Sequence, residues 1–165
     1  MHFARTLFAF AAIVLLGAPL GAGGYESVVM VPNYQNDIPN SLEHFRSFMR
    51  VANPGNFFRV VAPSTQIALL LCVITFWRIR AARWWYVLGL VAIVSADVVT
   101  FTFHYPRNHL LFHSPMTTPV AQLTAAAREW AAGNYLRIAL ILVSIFAASV
   151  GLKKGLLQRP EGSAA

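Results

Sequence analysis

FRVVAPSTQIALLLCVITFW, residues 58–77, decides the fold, because Arg59 is the single charged side chain in a run long enough to cross a lipid bilayer. A hydrocarbon core is spanned by about 20 apolar residues wound as a helix. Working outward, the basic turn at 78–83 leads straight into WWYVLGLVAIVSADVVTFTFHY, and together the two runs read as a helical hairpin. Two further stretches meet the same criterion, so four spans are expected at about 6–30, 58–77, 84–105 and 131–152.

Composition agrees. Hydrophobic residues make up 57% of the 165 and charged residues 12%, against roughly a quarter charged in a soluble domain. The expected fold class is therefore all-α, a polytopic membrane four-helix bundle at 1–154 followed by a flexible polar tail at 155–165. Met1 to Gly24 also has the layout of a signal peptide, but its apolar character continues through Tyr25 to Val31, which favours an uncleaved anchor.

The net charge of +7 does not point to nucleic acid, because the basic residues form no recognition stripe, zinc finger or RNA module and mostly flank the apolar runs. Membrane lipids are the expected partners of that charge. Arg5, Arg78, Arg80, Arg83, Lys153 and Lys154 place both termini and the short second connection in the cytoplasm of a cell-membrane protein by the positive-inside rule. Arg46, Arg50, Arg107 and Arg128 on the opposite side run against it. In the first outer loop, Asn40 and Glu43 have capping-box spacing, and Leu42, Phe45, Met49 and Ala52 recur at helical spacing until Asn53-Pro54-Gly55. This predicts a short amphipathic helix. Thr118 and Pro119 predict the start of the helix that runs into the last span.

Chemistry is sought among residues that lipid would reject. Asp97, Phe101, His104 and Asn108 fall at i, i+4, i+7 and i+11 and so share one face of the third helix. Trp130, Asn134 and Arg137 repeat the spacing on the fourth. With Glu26 and Arg59, and with Tyr25 and Trp130 as walls, these residues predict a polar cluster in the outer half of the bundle. The bland alternative is that the same groups glue helices together or snorkel to the interface. No cofactor is expected. A metal site would require His104, His109 and His113 to be joined by a residue such as His44, because their spacing does not place all three on one helix face. Cys72 reads as a core residue. Gly17 and Gly21 form a GxxxG spacing, which permits close helix approach within the bundle or in a homo-oligomer.

Five segments carry a family resemblance: GGYESVVMVP from Gly23 to Pro32, NPGNFFR from Asn53 to Arg59, WRIR after the second span, Asn108 after the third, and WAAGNYLR from Trp130 to Arg137. In these the chain resembles the anthrone-oxygenase-like family of small four-helix membrane proteins. The resemblance implies an oxidoreductase acting on a lipophilic aromatic or polyketide-like molecule, with Asn108, Trp130, Asn134 and Arg137 as the positions carried over. Asp97 or His104 is then expected to accept a proton, and Arg137, Asn134 and Asn108 to stabilise the oxyanion. Glu26, Arg59, Phe101, Trp130 and Tyr25 are expected to contact the substrate. The alternatives are a non-catalytic protein that binds a lipid or hydrophobic metabolite, and a structural accessory subunit.

Overall fold

The computed structural model describes residues 2–115 and 117–157. Most of the expected polar tail, from 158 onward, lies outside the described residues, and 155–157 continue the last helix. The first rod consists of α1 (His2–Tyr25), a wide π-helical turn (Glu26–Met30) and α2 (Val31–Gln35). After α3 (Asn40–Phe48) and α4 (Pro54–Thr75), a second compound rod joins α5 (Arg80–Val99), another π-helical turn (Thr100–His104) and α6 (Tyr105–His113). The long α7 (Val120–Leu157) closes the chain.

Four of these rods are long and apolar enough to cross a membrane: Phe3–Gln35, Pro54–Thr75, Arg80–His113 and Val120–Leu157. The chain is thus an all-α, multi-pass membrane bundle, with no strand among the described residues. Rods of 33, 34 and 38 residues exceed the roughly 20 that hydrocarbon requires. The surplus carries the first, third and fourth rods past α4 at the end where α3 lies.

The transmembrane rods form a ring, with α1 against α4, α4 against α5, α5 against α7 and α7 back against α1. Two apolar cores stack along it. One joins Ala9, Ala12 and Leu16 to Leu69, Cys72, Phe76, Tyr86, Ile141 and Ala148. The other lies at the α3 end and joins Val31, Tyr34 and Leu42 to Leu111, Leu123, Ala127 and Trp130.

Local sequence explains the element boundaries. Asn53 caps α4 with a reciprocal capping box, its Oδ1 accepting from the Gly55 N–H at 2.9 Å while the Asn53 N–H donates to Asn56 Oδ1 at 3.0 Å. The Asn40–Glu43 spacing does not act this way. Pro39 occupies the cap of α3 without a side-chain cap, and Asn40 instead donates to Asp37 Oδ2 at 3.0 Å. The amphipathic helix itself is present and seats Leu42 fully in the upper core.

Both π-helical turns end two residues before a proline, Pro32 and Pro106. Proline has no N–H for the ladder, and its ring collides with the carbonyl four residues back, so the helix opens there. In each case the residue after the proline adds a side-chain donor to a carbonyl of the wide turn. Asn33 Nδ2 reaches Val29 O at 2.7 Å, and Arg107 Nη1 reaches Phe103 O at 2.9 Å. In lipid such side-chain donors stand in for water.

Gly17 and Gly21 face open space and take no part in packing within the bundle. The close approach occurs elsewhere, where α5 crosses α7. Ser144 Oγ donates to Gly89 O at 2.9 Å, and a Cβ on Gly89 would sit 3.3 Å from the Ser144 carbonyl oxygen. Backbone cannot yield as a side chain can, so Gly89→Leu is expected to destabilise the bundle by about 1–3 kcal/mol. Thermal unfolding of the purified protein in detergent reads this, and an unchanged midpoint would show that the crossing is looser than described.

Candidate functional site

Between the two cores lies a cavity of about 790 Å³. Glu26, Arg59, Asp97, Phe101, Asn108, Trp130 and Arg137 all line it, so most of the expected polar cluster meets around one space. Phe58, Tyr105 and Phe112 add aromatic walls, and Ile93, Ala96 and Ile141 line the side toward the lower core.

The centre of the site is an ion pair between the first and last rods. Arg137 Nη2 donates to Glu26 Oε2 at 2.6 Å, with each side chain 8% exposed. The guanidinium lies over the Phe58 ring at 4.8 Å and faces Trp130 at 6.0 Å. Its Nε is buried and without a hydrogen-bond partner. Glu26 occupies the first wide turn, where its carbonyl accepts from the Val31 N–H five residues on. The carboxylate and guanidinium therefore neutralise each other where neither could be exposed to lipid.

Asp97 is held differently. Gln66 Nε2 donates to its Oδ2 across α4 and α5, and the carboxylate has no salt-bridge partner among the described residues. On the far wall, Trp130 Nε1 donates to Asn108 Oδ1 at 2.7 Å. That bond fixes the amide so that its NH2 group is left to donate. Tyr34 is 2% exposed and lines the cavity, and its buried hydroxyl has no hydrogen-bond partner.

Three expected site residues do not line this space. The i+7 spacing puts His104 on the face of Asp97, but the wide turn at Thr100–His104 inserts about one extra residue, a rotation of roughly 100°. Tyr105 takes the expected place on the cavity wall. His104 is fully buried, with Nδ1 3.4 Å from Val99 O and its ring edge-on to Trp130 at 5.1 Å. Its Nε2 has no partner. The pocket for this ring exists because residue 133 is glycine: a Cβ there would lie 2.4 Å from Phe103 Cε1 and 3.2 Å from His104 Cε1. Asn134 is fully buried and ties α7 to the first rod, donating to Gly23 O at 3.0 Å and Ser27 Oγ at 2.8 Å. Tyr25 is 58% exposed, on the outside of the bundle.

Tyr34, Gln66, Phe58 and Arg50 also line the cavity, beyond the site residues expected from the sequence. Gln66 carried a usable signal: an isolated amide in an apolar span, seven residues after Arg59 and so on the same helix face. Tyr34 carried none, because the first span was expected to end at 30. Among the described residues no group of three or more His, Cys, Asp and Glu side chains is arranged to hold a metal ion. His109 and His113 pack alongside each other with ring centroids 6.0 Å apart, and His44 is exposed.

No family model, curated protein or solved structure matches the chain.

A buried ion pair stripped of one partner leaves an uncompensated charge, at a cost of about 3–5 kcal/mol. Glu26→Gln and Arg137→Gln should each lower stability by that order, while the double variant should lose clearly less than the sum. A double-mutant cycle from chemical unfolding measures the coupling. Additive losses would mean that the two side chains do not act as a pair.

Proposed function

We propose that this protein is a membrane enzyme that receives a lipophilic aromatic, polyketide-like molecule in the cavity between its two cores and removes a proton from it. The observation that carries the reading is the chemistry of the lining. Aromatic walls from Phe58, Phe101, Tyr105, Phe112 and Trp130 surround an unpaired carboxyl, Asp97, and buried donors without partners, Tyr34 Oη and Arg137 Nε. Such a space suits a flat apolar ring system bearing one or two oxygens.

In this reading Asp97 accepts the proton, with Gln66 orienting its carboxyl. Negative charge then develops on a ring oxygen, where Arg137, Tyr34 and the free amide NH2 of Asn108 hydrogen-bond to it. The family resemblance supplies the class of overall reaction. A methylene between two aryl rings loses its two hydrogens and gains one oxygen atom from O2, and the second oxygen leaves with those hydrogens as water. The deprotonated ring is electron-rich and is the form that O2 attacks. His104 is assigned a positioning role, through its edge-on contact with Trp130.

The basic side chains at the end opposite α3, including Arg78, Arg80 and Lys153, support a cell-membrane orientation with both termini in the cytoplasm. The cavity then belongs to the outer half of the bilayer. One observation favours a second, non-catalytic reading: the Arg137 charge is already neutralised by Glu26 at 2.6 Å, which suits binding as well as turnover.

Anthrone in aerated nanodiscs discriminates between them. The wild-type protein is expected to accelerate formation of anthraquinone above the spontaneous rate, followed by absorbance. Asp97→Asn should remove the enzymatic part by about 10²-fold or more, with the dissociation constant for anthrone little changed. Anthrone that binds but is recovered at the spontaneous rate would establish the binding reading instead.

A further inference from the structure

The charge lining the cavity is unevenly distributed. Four guanidinium groups, Arg46, Arg50, Arg59 and Arg137, contribute to its wall against the carboxyls of Glu26 and Asp97. Deep in the cavity Arg137 is neutralised by Glu26. Near α3, Arg46 is engaged with the end of α6, donating through Nε to Leu111 O at 2.7 Å and through Nη1 to Ser114 O at 2.8 Å. Arg50 and Arg59 are left. Neither side chain has a salt-bridge or hydrogen-bond partner among the described residues, and both are exposed residues that also line the cavity.

Between them in sequence lies Asn53-Pro54-Gly55, which also lines the cavity. This is the capped start of α4, a 22-residue helix whose N-terminal end carries partial positive charge. The capping box already uses the donors nearest Asn53, so the helix adds field and the two arginines supply the contacts. An apolar interior that opens past unpaired guanidinium groups fits an amphiphile with an acidic group at one end.

We propose that the ligand is a lipophilic acid whose carboxylate or phosphate is held at the cavity mouth by Arg50 and Arg59, while its apolar body occupies the aromatic interior. This rests on the reading of the cavity as a ligand site and is independent of whether turnover follows. The anion has two sources, a free aromatic acid or the headgroup of an anionic lipid, and the recognising chemistry is the same for both.

The test compares anthraquinone-2-carboxylate with unsubstituted anthraquinone, titrated into protein in phosphatidylcholine nanodiscs and followed by tryptophan quenching. Empty discs are subtracted. The acid is expected to bind about tenfold or more tightly, corresponding to one charge-assisted contact. In Arg50→Gln/Arg59→Gln the acid should weaken to the affinity of the neutral ring, whose own affinity stays unchanged and reports that the fold is intact. Repeating the titration with phosphatidylglycerol in the discs separates the sources. Loss of acid binding in the wild-type protein alone identifies the lipid headgroup as occupant, and undiminished binding identifies the free acid. Equal affinity for the two rings, or a preference for the acid that survives in the double variant, overturns the acid site while leaving the cavity a ligand site. Failure of both rings to bind overturns the acid site and the ligand-site reading together.

Discussion

Glu26 and Arg137 meet inside the bundle, each side chain 8% exposed, where lipid can stabilise neither charge, and much of the bundle's arrangement follows from that meeting. The pair joins the first rod to the last, the two elements most distant in sequence, and closes the ring of helices. Asn134, one turn before Arg137 on the same helix, reinforces the closure through Gly23 O and Ser27 Oγ. Polar contacts of this kind are more specific than apolar packing among lipid-like side chains, because burying either partner alone carries a large cost. They set the rotation of α7, and so place Trp130 and Arg137 on the cavity wall.

Closing the ring does not by itself leave a cavity. The two wide turns contribute to that, each preceding a proline at the level where the rods pass from the lower core to the upper one. Each turn changes which residues of its rod face inward, bringing Glu26, Met30, Val31 and Tyr34 to the space on one side and Thr100, Phe101, Tyr105 and Asn108 on the other. Asn33 and Arg107 add side-chain donors to the turn carbonyls of Val29 and Phe103, at exposed or partly buried positions. Irregular backbone at such depth is tolerated where it lines a cavity, as it does here.

The lining also divides by polarity. Near the lower core it is aliphatic, around Glu26, Asp97 and Arg137 it is polar within an aromatic frame, and toward α3 it becomes basic. A ligand entering past α3 would meet charge first, then aromatic surface, then the paired and unpaired carboxyls. The order of contacts constrains a ligand more than the volume does, since many lipophiles would fit about 790 Å³.

Much of this was legible in the sequence for one reason: lipid imposes strict rules on length and composition. Four spans could be read because about 20 apolar residues in a row have few other uses, and Glu26, Asp97 and Arg137 stood out because charge is rare there. A uniform 3.6-residue period puts His104 on the cavity face, but the helix is wider at Thr100–His104 and turns the ring away. Tyr25 adjoins Glu26 in sequence but faces outward, and Asn134, although it shares a helix face with Trp130 and Arg137, is taken up by the first rod through Gly23 O and Ser27 Oγ. The sequence by itself determined the membrane solvent, the helices and the short inventory of side chains that must avoid lipid. Only the tertiary structure decided which of these meet, because the Glu26–Arg137 pairing, the Gln66–Asp97 bond and the position of Tyr34 depend on rotations set by two wide turns and by contacts between distant rods.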